Sequence, residues 1–173
     1  CPQPYASLFK ADDFDLPKTF RIHPTDEEIL RLSNWREHSE SLSASVQDFK
    51  MAMAKYCGQI RYVDDQVGRI IEFLEKNNLI DNTYIIFWSD HGEFIGDYGV
   101  THKGAMFYDV LIRIPLIIFD PDQSIPKKRE YDLIEAMDAI ATVMDLLKFE
   151  KLPFSKAQSL VNINYTPRID VYA

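Results

Sequence analysis

The amino-acid sequence predicts an α/β fold, and three observations carry that expectation. Between residues 49 and 74 apolar side chains recur in alternating steps of four and three, the signature of one long amphipathic helix. Two short apolar runs, 84–88 and 115–119, read as buried strands, and a second amphipathic segment follows at 131–147. A helix that leads into a buried strand, repeated along the chain, is half of a layered α/β arrangement, because each apolar face must be covered by the other kind of element. At 173 residues the chain is long enough for one domain with a sizeable core. Its 46% hydrophobic and 13% aromatic content argue for a packed structure rather than disorder.

Taken in order, residues 1–24 are rich in Pro, Asp and Phe without a clear period and read as an extended loop over a larger body. Thr25 is a candidate N-cap, with Glu28 closing a capping box, for a helix that ends near 33–40. The long helix carries its apolar stripe at Phe49, Met53, Tyr56, Ile60, Val63, Val67, Ile70 and Leu74. Ser43 or Ser45 caps its start, Asn77 and Asn78 end it, and Asp64, Asp65, Glu75 and Lys76 lie on its solvated side. Asp81 and Asn82 turn the chain into strand 84–88. Residues 92–104 form a loop punctuated by Gly96, Asp97 and Gly99, longer than the usual connection in α/β units. A short helix at 105–111, the strand 115–119 and a surface loop at 120–128 come next. The final helix, 131–147, turns Leu133, Ile134, Met137, Ile140, Val143, Met144 and Leu147 inward. A terminal strand is expected at 169–172. There is no internal repeat, low-complexity tract or evident domain boundary, so residues 1–173 read as one domain.

Net charge of −8 and a pI near 4.9 disfavour nucleic acid or an anionic membrane as partner. The apolar runs are much too short to span a bilayer. Two cysteines give no disulfide framework, and Cys57 reads as a small helix-face residue. Asn164 to Thr166 fits the glycosylation sequon, a pattern that also arises by chance.

The stretch with the most chemistry is Ser89, Asp90, His91 and Gly92, directly after the strand 84–88. It holds a carboxylate and an imidazole side by side at a strand's C-terminal end, the edge where open α/β sheets place ligands. The loop that follows brings Lys103, a fixed positive charge. An acid, an imidazole and a lysine between two core strands suit a metal site that handles an anion. The plain alternatives are that Asp90 and His91 cap a turn and that Lys103 is a solvated surface residue.

The segment resembles the sulfatase family of the alkaline phosphatase superfamily. The resemblance rests on residues 62–68 (YVDDQVG), 70–74 (IIEFL), 78–83 (NLIDNT), 84–92 (YIIFWSDHG), Gly96 with Asp97, Lys103 with Gly104, and 113–117 (RIPLI), in the family's order and spacing. It is clear over roughly 45–120 and weaker at the flanks, where Pro4, Tyr5, Leu8, Phe9, 158–160 and 168–172 match less closely. The resemblance implies a partial alkaline-phosphatase-like αβα sandwich and hydrolysis of a sulfate ester. It implies that Asp90 and His91 bind a divalent metal, with calcium the family's usual ion and manganese left open by the imidazole. It also implies that Lys103 holds the sulfate and steadies charge in the transition state. His102 is a candidate general acid to the leaving group, although neighbouring residues on an extended loop point in different directions. The pairing of Asp with His, rather than Asn, is similar to the iduronate-sulfatase, choline-sulfatase and phosphonate-monoester-hydrolase branches.

Sulfatases carry their nucleophile, a formylglycine, in a C/S-x-P-x-R motif. Neither residues 1–5 (CPQPY) nor 57–61 (CGQIR) fits it. The expectation is an internal piece of a larger enzyme whose formylglycine and remaining metal ligands lie upstream, inactive on its own. Its partners would be the rest of that parent chain and a sulfated small molecule or glycan. Two other readings stay open: the same site acting on phosphonate or phosphate esters, and a non-catalytic binding or structural relative. Glu93 and Asp97 read as loop acids, Arg113 as half of a structural ion pair, Trp35 and Trp88 as core, and His23 and His38 as surface or packing residues.

Overall fold

The computed structural model describes residues 1–22, 32, 34–37, 39, 41–123, 125, 132–150, 156–162 and 164–171. His23, His38 and the capped helix start at Thr25 and Glu28 lie outside the described residues. The described chain divides into two compact units. One comprises Cys1–Ile80 with His91–Arg113, and the other Asp81–Asp90 with Ile114–Ala173.

The first unit is built on helix α1, Val46–Lys76, of 31 residues. Ser45 caps it: its hydroxyl accepts from the Asp48 amide, and the Asp48 carboxylate accepts from the Ser45 amide at 2.8 Å. The Ser45 hydroxyl, and then its amide, holds the Asp48 carboxyl below its ordinary range. Asn77 takes the C-cap, and Asn78 follows in the left-handed conformation at φ 55°. Against the helix lie two 3₁₀ turns, Tyr5–Ser7 and Ala11–Asp13, where an extended loop was expected. The first approaches so closely that a Cβ on Gly58 would sit 2.3 Å from the Tyr5 carbonyl oxygen. Tyr5 stacks edge-on to Tyr62 and donates to Asp65 at 2.8 Å, so Asp65 is a docking point rather than a purely solvated acid.

The stripe on α1 is only partly covered. Phe49, Ala54 and Gly58 are buried, whereas Ile60, Val63 and Ile70 are exposed. The 92–104 stretch is a hairpin rather than a plain loop. Strands β2 (Phe94–Ile95) and β3 (Thr101–His102) pair antiparallel, with Ile95 opposite Thr101 and Phe94 opposite His102. Gly96 and Gly99 take positive φ in its turn, and Tyr98 between them also does. The expected helix 105–111 is reduced to one turn, α2, Asp109–Ile112. The core of this unit is Leu32, Phe94, Val100, Met106 and Leu111, edged by Trp35, Tyr98, Tyr108 and Val110. Phe94 and Tyr108 meet edge to face at 5.6 Å.

In the second unit β1 (Ile85–Trp88) and β4 (Leu116–Phe119) form a two-stranded antiparallel sheet in which Ile85 faces Phe119 and Trp88 faces Leu116. β-Branched and aromatic side chains suit both strands. Neither is buried as expected: Phe87, Trp88, Ile117 and Phe119 are exposed, so Trp88 is not core here. The terminal helix, α3, is shorter than expected, Ala136–Leu146, and its buried face is the polar one. Asp138, Ala139 and Thr142 are inside, while Leu133, Met137, Ile140 and Leu147 are exposed. The reason is a clasp. Asp138 takes Arg168 at 2.7 and 3.2 Å, the Gln158 amide at 2.7 Å and the Glu135 amide at 3.0 Å. Thr142 accepts from the Leu160 amide at 3.0 Å. These bonds draw the segment after the helix onto that face. Burial pushes the Asp138 pKa up, but the Arg168 and amide hydrogen bonds outweigh it and leave the carboxyl below its ordinary range. The expected strand 169–172 is not formed among the described residues: Arg168 makes one bridge to Leu133, and Ile169 is 95% exposed.

Candidate functional site

Asp90 ends the segment that leaves β1, and its side chain is exposed. The Ser89 hydroxyl lies a long 3.5 Å from its Oδ1. His91 opens the segment that returns to the first unit and is partly buried. What fixes His91 is its neighbour Gly92. The Gly92 amide donates to the Leu111 carbonyl at 2.7 Å, and a Cβ at this position would stand 1.9 Å from the Val110 carbonyl oxygen. Only glycine lets the two backbones approach so closely.

The imidazole has one-way partners on both sides. Nδ1 is 2.6 Å from the Gly92 carbonyl oxygen, which can only accept. Nε2 is 2.5 Å from the Lys103 ammonium, which can only donate. The arrangement requires the neutral tautomer with its proton on Nδ1 and its lone pair on Nε2. A carbonyl holding the far nitrogen is also how metal-binding histidines are oriented. The lone pair therefore points toward the Lys103 ammonium, and an imidazole nitrogen is a donor type that a divalent cation takes. Among the described residues no three His, Cys, Asp or Glu side chains gather to hold a metal. Two consecutive donors supply at most half of a coordination sphere.

Lys103 directly follows β3 and is exposed. His102 is exposed too, in the left-handed conformation at φ 64°, opposite Phe94 in the hairpin. The chain kinks at His102, and the next side chain, Lys103, reaches His91. The structure thus brings His91 and Lys103 together within one unit. Glu93 keeps one carboxylate oxygen buried without a hydrogen-bond partner among the described residues. Burial, and then the Glu93 charge, pushes the Tyr56 hydroxyl pKa up. Asp97 is not a free loop acid: it accepts from the Thr19 hydroxyl at 2.6 Å. Arg113 pairs with Asp109 at 3.8 Å on an exposed surface, an ion pair of little energetic weight.

The residues that the sequence pattern does not reveal are those that hold the hairpin. Trp35 Nε1 donates to the Thr101 carbonyl at 3.1 Å, and the buried Ser41 hydroxyl accepts from the Thr101 amide at 3.1 Å. Arg36 donates through its guanidinium to the Tyr98 carbonyl. These partners lie at least 60 residues apart in the chain, so no local spacing points to them.

A family model described as Sulfatase matches residues 11–149. The multifunctional alkaline phosphatase superfamily protein PehA of Trinickia caryophylli is 30% identical over 160 residues, 83% of this chain and 30% of that protein. The iduronate 2-sulfatase of Homo sapiens is 30% identical over 154 residues, 79% of this chain and 28% of that enzyme. In three dimensions the chain is similar to the phosphonate monoester hydrolase SpPMH from Silicibacter pomeroyi. The TM-score is 0.80 at 26% identity, over 92% of this chain and 33% of that one. The chain thus spans about a third of the length of the relatives it matches. Its α/β fold is that of alkaline-phosphatase-like hydrolases. With the match running from the first turns through the strands to the last helix, the chain belongs to the sulfatase family, within the alkaline phosphatase superfamily.

Proposed function

We propose that this chain is the C-terminal portion of the catalytic domain of a hydrolase that cleaves sulfate esters. The observation that carries the reading is the pairing of His91 Nε2 with Lys103 Nζ at 2.5 Å, inside the region that the Sulfatase model matches. Two further features support the piece-of-a-domain reading. A two-stranded sheet is marginal alone, and β1 and β4 leave Phe87, Trp88, Ile117 and Phe119 exposed, as strands do when more sheet and a covering layer belong beside them. In this reading both compact units are parts of one domain completed by the parent chain.

Each residue then has a task. Asp90 contributes a carboxylate oxygen to a divalent cation, and His91 its Nε2 once the Lys103 ammonium leaves that nitrogen for the ester, the cation being calcium by family habit, with manganese compatible with the imidazole. Such a cation neutralises charge on the ester oxygens when bound. Gly92 keeps the imidazole proton on Nδ1 and so keeps Nε2 able to ligate. Lys103 donates to the anionic oxygens of the ester, where charge grows toward the transition state. The nucleophile in this reading is a formylglycine supplied by the rest of the parent enzyme. His102 acts as general acid to the leaving group only if its exposed ring turns toward the substrate.

A second reading is favoured by a specific observation, the TM-score of 0.80 to a phosphonate monoester hydrolase. The same groups would serve a phosphonate or phosphate ester, since each is a tetrahedral oxyanion. The test is to express the parent enzyme and measure kcat/KM on an aryl sulfate and on the matched aryl phosphonate monoester and aryl phosphate. Preference for the sulfate supports the first reading, and preference for a phosphorus ester supports the second. Turnover of none by a folded, metal-loaded parent would leave the non-catalytic binding module. The isolated 173-residue chain should show no turnover, and activity in it would refute the fragment reading.

A further inference from the structure

Lys103 is exposed and sits at the end of a strand only two residues long, yet its ammonium meets one particular nitrogen 2.5 Å away. A four-carbon side chain on a loose loop would sample many positions, so something must fix the backbone from which it springs. The pairing of β2 with β3 covers only two residue pairs and ends at His102. Two-residue strands are weak holders in water.

The holders are Trp35 and Ser41. Trp35 donates its indole N–H to the carbonyl of Thr101, two residues before Lys103, at 3.1 Å. The same ring lies against Gly104, one residue after Lys103: a Cβ at Gly104 would stand 2.9 Å from the Met106 methyl and 3.1 and 3.2 Å from two carbons of the indole. One side chain therefore grips the backbone on both sides of His102 and Lys103. Ser41 completes the grip, accepting from the Thr101 amide at 3.1 Å, with its hydroxyl 3.3 Å from the Thr101 hydroxyl. Between these fixed points His102 takes φ 64°, the kink that turns the chain toward His91. His91 is fixed independently, by Gly92 against the backbone of Val110 and Leu111.

We infer that Trp35 is a positioning residue for Lys103, an indole clamp on the Thr101–Gly104 backbone that sets where the ammonium stands relative to His91. The assignment rests on Lys103 working at the proposed site, but its geometry is tested without catalysis. Trp35 acts on Lys103 through the backbone it holds. A residue that merely filled the core would change stability and leave the His91–Lys103 contact as it was.

The experiment uses the 173-residue chain with ¹⁵N-labelled histidine and reads the His91 ring nitrogens by long-range proton–nitrogen correlation, with thermal unfolding alongside. Lys103→Met calibrates the signal by removing the donor to Nε2, and must itself move the Nε2 resonance. Trp35→Phe keeps a ring but deletes the N–H donor. Gly104→Ala keeps the indole and crowds it, with Met106→Ala in the same chain removing the methyl that would otherwise meet the new Cβ first. The expected result is that both variants, while folded, shift the His91 Nε2 resonance toward the Lys103→Met position. The Trp35→Phe/Lys103→Met double variant should add no further shift. If Trp35→Phe fails to fold, Gly104→Ala decides. Wild-type His91 resonances in a folded Trp35→Phe chain, or in Gly104→Ala, would overturn the assignment, as would a Lys103→Met variant that leaves His91 unmoved. The sulfatase reading would survive either failure, because it is decided by the parent enzyme's rates.

Discussion

At Lys103 the chain solves a problem of precision with groups that have no charge at all. The ammonium is exposed, but the carbonyl of Gly92 fixes the imidazole it meets and the indole of Trp35 grips the backbone it leaves. If Lys103 has the role proposed above, replacing it by Ala in the parent enzyme should lower kcat about 10²-fold or more, since one charge-stabilising donor would be lost where charge develops. Steady-state rates on the preferred ester check this, and an unchanged kcat would demote Lys103 to a surface residue. Gly92 is the sharper case for folding. An alanine methyl would stand 1.9 Å from the Val110 oxygen, and neither backbone can yield without disturbing α2. Gly92→Ala should destabilise the chain on the order of 3 kcal/mol, measured by denaturant unfolding. Sequence reasoning singles out Asp90, His91 and Lys103 as candidates because their chemistry is visible in the letters, and the structure joins His91 to Lys103. Such reasoning does not find Trp35 or Ser41, because neither carries a local pattern and both act across at least 60 residues.

Among the elements, α1 shows what periodicity can and cannot tell. Its stripe, its cap at Ser45 and its end at Asn77 follow from spacing and capping chemistry, and all are present. Ser45→Ala should cost about 1 kcal/mol, because it removes the hydroxyl that accepts from the Asp48 amide and weakens the reciprocal box. An unfolding midpoint equal to that of the wild type would show that the helix start contributes nothing. Periodicity misses which end of the stripe is covered: the start packs, whereas Ile60, Val63 and Ile70 remain exposed. The hairpin β2–β3 is missed altogether, since its strands have two residues each and no alternation to read. On α3 the apolar pattern points one way and the buried face another. The Asp138 clasp wins because a buried carboxylate must keep its partners, and they come from residues 158 and 168.

For the molecule as a whole, that clasp sets a pH dependence. The folded pKa of Asp138 is depressed, so its contribution to stability is complete above the unfolded carboxyl value of about 3.9. It is lost as pH falls through the lower folded value. Acid unfolding of the second unit should therefore begin below about pH 4 and should flatten in Asp138→Asn, as circular dichroism against pH would record. Arg168→Ala, which strands the fully buried carboxylate, should cost about 3–5 kcal/mol at neutral pH. A loss below 1 kcal/mol would mean that the carboxylate finds water instead.

The letters of the sequence were enough for the α/β class, the start of α1 at Ser45 and the choice of His91 and Lys103 as a pair to look for, because each depends on local spacing or on the chemistry of single side chains. The register of β1 on β4, the tautomer of His91, the indole grip beside Lys103 and the inverted burial of α3 were settled by contacts between distant segments. Those contacts are chosen by which partners can satisfy a buried amide, carbonyl or carboxylate, and local spacing carries no record of that choice.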